Sequence, residues 1–294
     1  MTLPGTDTEI RYAAGDTSAT ALVLHVEEAG DGLVAVLLDR TAAHPVDAGW
    51  PDQGPDRGAL LAGGARLELR DCVVGATDGA VLHLGADVPV RKGAEGWAFV
   101  VAHLVEADAA AAAGLREGGE VEVEVDRPHR RALSLGHSAC HLASLALNAE
   151  LAGAWRKVGR RDAAGSPDFD GTAIERSTIE PHGSVDEYRV GKSVRKAGFD
   201  PAALDDLPSL TAAVQARLDA WTASSGTIRM ELDGPGLADR RRWTAELPEG
   251  EVRIPCGGTH ASALAELAGL RVVLAPRELE GAVGVTMTTC VPAA

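Results

Sequence analysis

The chain has 294 residues, 45% of them hydrophobic, which is enough for two packed cores because single domains usually contain about 100 to 200 residues. No stretch approaches the roughly 18 uninterrupted apolar residues of a membrane span, and the first residues lack the features of a signal peptide, so we expect a cytoplasmic protein without a membrane partner. The net charge of −15 argues against a nucleic-acid partner, since phosphate binding normally requires a basic surface.

The distribution of this charge weakens that objection. Residues 1–126 carry 8 Lys and Arg against 22 Asp and Glu, whereas residues 127–294 carry 20 against 21. The cations of the second half form clusters, among them Arg127, Arg130 and Arg131; Arg156, Lys157, Arg160 and Arg161; Lys192, Arg195 and Lys196; and Arg240, Arg241 and Arg242. Such clusters can face phosphates, although a solvated helix or loop face is an equally good interpretation of any one of them.

Residues 20–125 contain six short β segments separated by Gly, Pro and Asp. The segments are ATALVLHVEE, GLVAVLLDRT, ARLELRDCVVGA, GAVLHLG, WAFVVAHLVE and EVEVEVDR. Strands at this spacing predict a small β-barrel or sandwich, and we assign residues 1–126 to an N-terminal β-barrel domain. The sequence HPVDAGWPDQGPDRG is too long for a hairpin turn and predicts an irregular loop.

The pattern changes at Arg127, where a second domain is predicted over residues 127–294. Its first element, ALSLGHSACHLASLALNAELAGAW, places apolar residues at helical spacing. Residues 159–200 are polar and Gly-rich, with one strand around EYRVGK, and helical segments follow over residues 201–223. The remaining segments are the strands TIRMEL, EVRIP, RVVLA and VGVTMTTCV and a helix at ASALAELAG. This order predicts an α+β domain with a mainly antiparallel sheet.

Two pairs of residues suggest a metal site. His137 and His141 are four residues apart on the predicted helix, so their imidazoles lie on one face, although a histidine pair alone is more often structural. Cys256 and His260 lie in PCGGTH, where two glycines free the backbone to fold both side chains onto one centre. Sulfur and imidazole ligands favour zinc over magnesium or calcium. The alternative is a buried thiol beside a glycine turn and a histidine that begins a helix.

The motifs HSACH and CGGTH resemble those of the editing domain of alanyl-tRNA synthetase and of its freestanding AlaX relatives. The segments VLLDRTAAHP, PDRG and EVEVEVDRPHRR are similar to the β-barrel domain of the longer AlaX proteins, so the resemblance runs over roughly residues 20–285. It implies that His137, His141, Cys256 and His260 are zinc ligands. It also implies hydrolysis in trans of the ester in misacylated tRNA, typically seryl- or glycyl-tRNA with the alanine acceptor.

Two departures from the family pattern leave the substrate open. The family's Gly-Gly-Gln segment corresponds here to DAGWPDQG, with Trp50 or Gln53 near the position of the glutamine, and Gly159–Gly198 is hard to align. One alternative is the same hydrolysis on a threonyl-type tRNA that carries a nonproteinogenic threonine analogue such as fluorothreonine. An alternative from another class is a noncatalytic tRNA-binding module in which the four zinc ligands only stabilise the fold. The sequence sets no expectation for the oligomeric state.

Few other residues offer catalytic chemistry. Ser138 and Thr259 are candidates for hydrogen bonds to substrate, and capping of a helix or turn is the more ordinary interpretation of each. Four protein ligands are typical of structural zinc, whereas catalytic zinc usually keeps an open position, so the sequence leaves open whether all four bind at once. Absence of a P-loop or dinucleotide motif argues against ATP and NAD. The candidate tRNA-binding residues are Arg130, Arg131, Arg240, Arg241 and Arg242.

Overall fold

The computed structural model of the chain describes residues 3–157 and 159–293, which divide into two compact units. The first unit contains the chain up to Arg130 together with Leu232–Arg241 and Gly257–Thr259. The second unit contains Arg131–Glu231, Arg242–Cys256 and the residues from His260 onward. The mixture of helices with several antiparallel sheets confirms the predicted α+β class. Among the described residues, no helix is long and apolar enough to cross a membrane.

The first unit is built around an eight-stranded sheet. Its elements are β1 (Glu9–Ile10), β2 (Ser18–Gly30), β3 (Leu33–Leu38), β4 (Arg40–Thr41), β5 (Gly58–Ala62), β6 (Ala65–Glu68), β7 (Asp71–Thr77), β8 (Leu82–Leu84), β9 (Ala98–Glu106), α1 (Ala107–Ala112) and β10 (Glu120–Val125). The alternation of EVEVEV in β10 buries Val121, Val123 and Val125 and leaves the glutamates at least partly exposed, as the two-residue period of a strand requires.

The predicted closed barrel is not confirmed. The strand order is β6-β5-β10-β2-β3-β9-β7-β8, and no pairing between described residues joins β6 to β8. The segment ARLELRDCVVGA, predicted as one strand, is interrupted at Leu69 and Arg70, which donate backbone hydrogen bonds to Gly58 and Leu104 respectively. Its two parts therefore pair with different neighbours, β6 with β5 and β7 with β8 and β9.

The second unit combines two antiparallel sheets with helices. Its elements are α2 (Arg127–Glu150, of which residues from Arg131 belong to this unit), α3 (Asp170–Ala173), β11 (Ile174–Glu180), β12 (Gly183–Val190), α4 (Lys192–Ala197), α5 (Leu207–Thr222), β13 (Ile228–Leu232, ending in the first unit), β14 (Arg241–Leu247, beginning there), β15 (Gly250–Pro255), β16 (Arg271–Arg277) and β17 (Val283–Cys290). The sheet orders are β11-β12-β17-β16 and β13-β14-β15. The helix predicted at ASALAELAG is only a 3-10 turn, Leu264–Leu267.

A close backbone contact fixes α2 against the sheet. A Cβ atom at Gly136 would lie 2.3 Å from the carbonyl oxygen of Glu180 and 2.4 Å from that of Gly183, so the turn between β11 and β12 rests directly on the helix backbone. His182, in this turn, has a positive φ of 65° and donates its backbone N–H to the carbonyl of Ala132. The position before His137 therefore has room for glycine alone.

We predict that Gly136→Ala lowers the free energy of unfolding by about 1 to 3 kcal/mol, because the added methyl group meets backbone atoms that cannot rotate away. Thermal and denaturant unfolding of the purified variant measure this change. The matched control is Gly153→Ala, because a Cβ at Gly153 meets nothing within 4 Å. Its effect should stay within about 0.5 kcal/mol. Equal losses of stability in the two variants would show that the contact at Gly136 is not a constraint.

Candidate metal centre

Four side chains of the second unit converge on one point. The ligand atoms of His137, His141, Cys256 and His260 all lie within 4.8 Å of one another. The two histidines of α2 are one helical turn apart, Cys256 follows the last residue of β15, and His260 lies four residues further along the loop. His137 is buried, and the other three residues are partly exposed. The two half-sites that were inferred separately from the sequence thus form one cluster within ligand distance.

The spacing of these atoms suits a tetrahedral metal ion. The Sγ atom of Cys256 lies 3.4 Å from Nε2 of His137 and 3.2 Å from Nε2 of His260. Zinc bonds of about 2.3 Å to sulfur and about 2.0 Å to nitrogen place two tetrahedral ligands roughly 3.5 Å apart. Both distances are close to this value, so Cys256, His137 and His260 are spaced as ligands of a metal ion of this size would be. The donor set of one thiolate and three imidazoles also matches the preference of zinc.

Trp243 forms an aromatic wall beside the cluster. Its ring centroid lies 4.9 Å from that of His141 and 6.1 Å from that of His260, and the side chain is fully buried. The strand period of β14 directs Trp243 and Ala245 to the same buried face. The indole therefore shields this side of the ligand cluster from water. Sequence reasoning missed this residue, because an isolated tryptophan after a run of arginines gives no periodic signal.

The adjacent face of α2, which carries Cys140, has different chemistry. Sγ of Cys140 donates to Oδ1 of Asp186 at 3.5 Å, and this buried carboxylate also accepts hydrogen bonds from Ser177 and Ser184 at 2.6 and 2.9 Å. Burial, followed by the negative charge of Asp186, raises the pKa of the Cys140 thiol well above its usual range. Cys140 is therefore protonated at neutral pH, which excludes it as a thiolate nucleophile.

Ser138 and Thr259, the two candidates for hydrogen bonds to substrate, are both buried. Ser138 has no exposed surface, and its Oγ lies 3.3 Å from Nδ1 of His260. Thr259, in the first unit, is held at two points by Gln53, whose Nε2 donates to the Thr259 hydroxyl at 3.0 Å and whose Oε1 accepts its backbone N–H at 3.1 Å. Trp50, by contrast, is 72% exposed. Trp50 and Gln53 both lie near the position where the family has a glutamine. Of the two, Gln53 is the residue that contacts Thr259, which directly precedes His260 in the chain.

Two of the candidate tRNA-binding arginines have buried partners inside the first unit. Arg130 is 5% exposed and forms an ion pair with Asp56, with 2.8 Å between Nε and Oδ1. Arg241 is 8% exposed, donates to the carbonyl of Leu237 and lies over the ring of Tyr12. Their guanidinium groups are engaged within the unit, and this burial does not fit contact with phosphates.

The other three arginines remain accessible. The side chain of Arg131 is 58% exposed and pairs with Glu266, Arg240 is exposed, and Arg242 is half-buried. The charge clusters of the sequence could not separate these residues from Arg130 and Arg241, because burial of a cation depends on partners that are distant in the chain. Only the accessible arginines are retained as candidates for contact with tRNA.

The chain is similar in sequence to part of several much longer proteins. It is 29% identical over 193 residues to a protein of Acetivibrio thermocellus (63% of this chain, 19% of the relative) and 29% identical over 256 residues to one of Nocardioides sp. (84% and 23%). It is 24% identical over 283 residues to one of Halobacterium salinarum (95% and 25%). These relatives are alanine-tRNA ligases. The chain spans about a fifth to a quarter of their length, and no family model matches it.

We predict that the purified protein binds one zinc ion per chain, measured by elemental analysis after removal of loosely bound metal. Cys256→Ala and His141→Ala should each lower the zinc content by at least about 10-fold, because three remaining ligands hold the ion less firmly. Cys290→Ala is the matched control, since Cys290 is exposed and lies outside the cluster. Wild-type protein without a transition metal, or full zinc content in the Cys256 variant, would contradict the site.

Proposed function

We propose that the chain is a zinc-dependent hydrolase that cleaves the ester between an amino acid and tRNA. The observation that carries the proposal is the convergence of His137, His141, Cys256 and His260 at ligand distance. Similarity to alanine-tRNA ligases over most of the chain supports tRNA as the partner. The proposed activity is trans-editing in the cytoplasm, in which a misacylated tRNA is deacylated after its release from a ligase.

The ester of an aminoacyl-tRNA is already activated, so its hydrolysis needs a positioned water and stabilisation of the negative charge that develops on the carbonyl oxygen. A bound zinc ion supplies this chemistry by acidifying water or by polarising the carbonyl. The protein provides the ligands, and the buried indole of Trp243 keeps bulk water away from one side of them. Three of the four ligand residues are partly exposed, which leaves a route for a substrate to approach the cluster.

For the amino acid we propose the seryl- or glycyl-tRNA that the resemblance implies, with the alanine acceptor. The alternative of a threonine analogue on a threonyl-type tRNA stays within the same chemistry and differs only in the pocket around the amino acid. The loop from Asp47 to Gln53 departs from the family sequence and presents an exposed Trp50, so substrate choice must be determined with a panel of acylated tRNAs.

We predict that the wild-type protein releases amino acid with multiple turnovers from at least one member of a panel of seryl-, glycyl-, alanyl-, threonyl- and halogenated threonyl-tRNAs. His141→Ala and Cys256→Ala should lower this rate by about 100-fold or more, because zinc chemistry is lost. Cys290→Ala should retain the wild-type rate. Circular dichroism and thermal unfolding of each variant identify loss of fold. A noncatalytic binding module would instead protect the ester and release no amino acid when substrate is in excess.

We also predict that changing Arg131, Arg240 and Arg242 together to Glu raises KM and changes kcat little, because phosphate contacts bind substrate and transition state alike. The slope of log affinity against log salt should fall in magnitude by roughly 2 to 3. The matched control reverses the exposed Arg70, Arg91 and Arg116 in the acidic half of the chain, with the same change in net charge. If both triple variants respond to salt alike, these arginines do not contact phosphates.

A further inference from the structure

The hydroxyl of Ser138 joins the two halves of the ligand cluster. Ser138 lies on α2 between His137 and His141, and its side chain is fully buried. Its Oγ accepts the backbone N–H of Ala261 at 3.0 Å and lies 3.3 Å from Nδ1 of His260. One oxygen atom of the helix therefore contacts two consecutive residues of the loop that carries Cys256 and His260.

This arrangement determines which nitrogen of His260 can bind a metal. Nε2 of His260 lies 3.2 Å from Sγ of Cys256, so Nε2 is the atom that faces the other ligands and must present its lone pair to an ion. The hydrogen of the neutral ring then resides on Nδ1, which donates it to Oγ of Ser138. A hydroxyl oxygen has two lone pairs, so Ser138 accepts from both Nδ1 of His260 and the N–H of Ala261.

Ser138 and the nearby Ser144 of the same helix differ in the hydrogen-bond partners of their hydroxyl groups. A serine within a helix commonly donates to a carbonyl of its own helix, and Ser144 does so, with Oγ 3.1 Å from the carbonyl oxygen of His141. The polar partners of Ser138 found in the loop lie 122 and 123 residues away in the chain. Its burial is thus compensated by contacts with the loop half-site, whereas Ser144 serves only the helix.

We infer that Ser138 is a positioning residue for the metal centre. It holds His260 in the tautomer with hydrogen on Nδ1, aims Nε2 at the cluster and fixes the loop half-site against the helix half-site before an ion binds. The inference rests on the proposed metal site and assigns Ser138 no contact with the substrate. Hydrogen bonds to the second nitrogen of a ligating histidine typically change metal affinity about 10- to 100-fold.

The first experiment measures zinc affinity by competition with a chromogenic chelator for the wild type, Ser138→Ala, Ser138→Thr and Ser144→Ala. We expect Ser138→Ala to weaken zinc binding about 10- to 100-fold, Ser138→Thr to restore most of the affinity because it keeps the hydroxyl, and Ser144→Ala to match the wild type. Equal zinc affinity in the two alanine variants overturns the inference. This assay involves no tRNA, so a protein that binds zinc with the expected pattern but releases no amino acid refutes only the proposed hydrolase.

The second experiment needs no variant and remains decisive if Ser138→Ala fails to fold. Nitrogen-15 NMR of the histidines in zinc-loaded wild-type protein should show His260 with a slowly exchanging hydrogen on Nδ1 and the metal on Nε2. The reverse assignment, with hydrogen on Nε2, overturns the inference even when zinc binding and hydrolysis are both intact, because Nδ1 would then have no hydrogen to donate to Ser138.

Discussion

The contact of three backbone layers within the second unit determines where the histidines of α2 lie. Gly136 allows the turn between β11 and β12 to rest on the helix, and a Cβ at Gly183 would lie 2.2 Å from the carbonyl oxygen of Thr289 in β17. Helix, turn and strand thus pack without intervening side chains, and His137 follows the contact by one residue. No side-chain rotamer can change to relieve these contacts, because the atoms that meet belong to the backbone.

Cys140 and Cys256, two cysteines of the second unit, show how environment determines chemistry. Cys140 faces a buried carboxylate that disfavours the thiolate. Cys256 faces imidazole nitrogens at 3.2 and 3.4 Å, and a metal ion bound among these donors would favour its thiolate. Both lie within one folded unit and have the same intrinsic acidity. Their different partners, not their sequence neighbours, distinguish Cys256, which lies among the candidate metal ligands, from Cys140.

Local sequence patterns predicted the features that depend on short-range geometry. The four-residue spacing of His137 and His141 and the glycines of PCGGTH suggested two half-sites, whose side chains lie within ligand distance of one another. The periodicity around them identified α2 and most strands. The break at Leu69 and Arg70 and the open sheet depend on strand pairing between distant segments, which periodicity does not encode. The burial of Arg130 could not be foreseen either, because its partner Asp56 lies 74 residues earlier in the chain.

The first unit is formed from segments that are distant in the chain, and this affects the order in which its parts are synthesised. Thr8 accepts the backbone N–H of Leu237, and the carboxylate of Asp7 accepts that of Ala238, 231 residues later. At about 5 to 20 residues per second, the ribosome supplies these partners more than roughly ten seconds after the N-terminal strands. The first unit therefore emerges early but is completed late, and contacts at such large separation in sequence make folding slow. Its N-terminal segment therefore has no Leu237 or Ala238 to bind until residues 131–231, most of the second unit, have been synthesised.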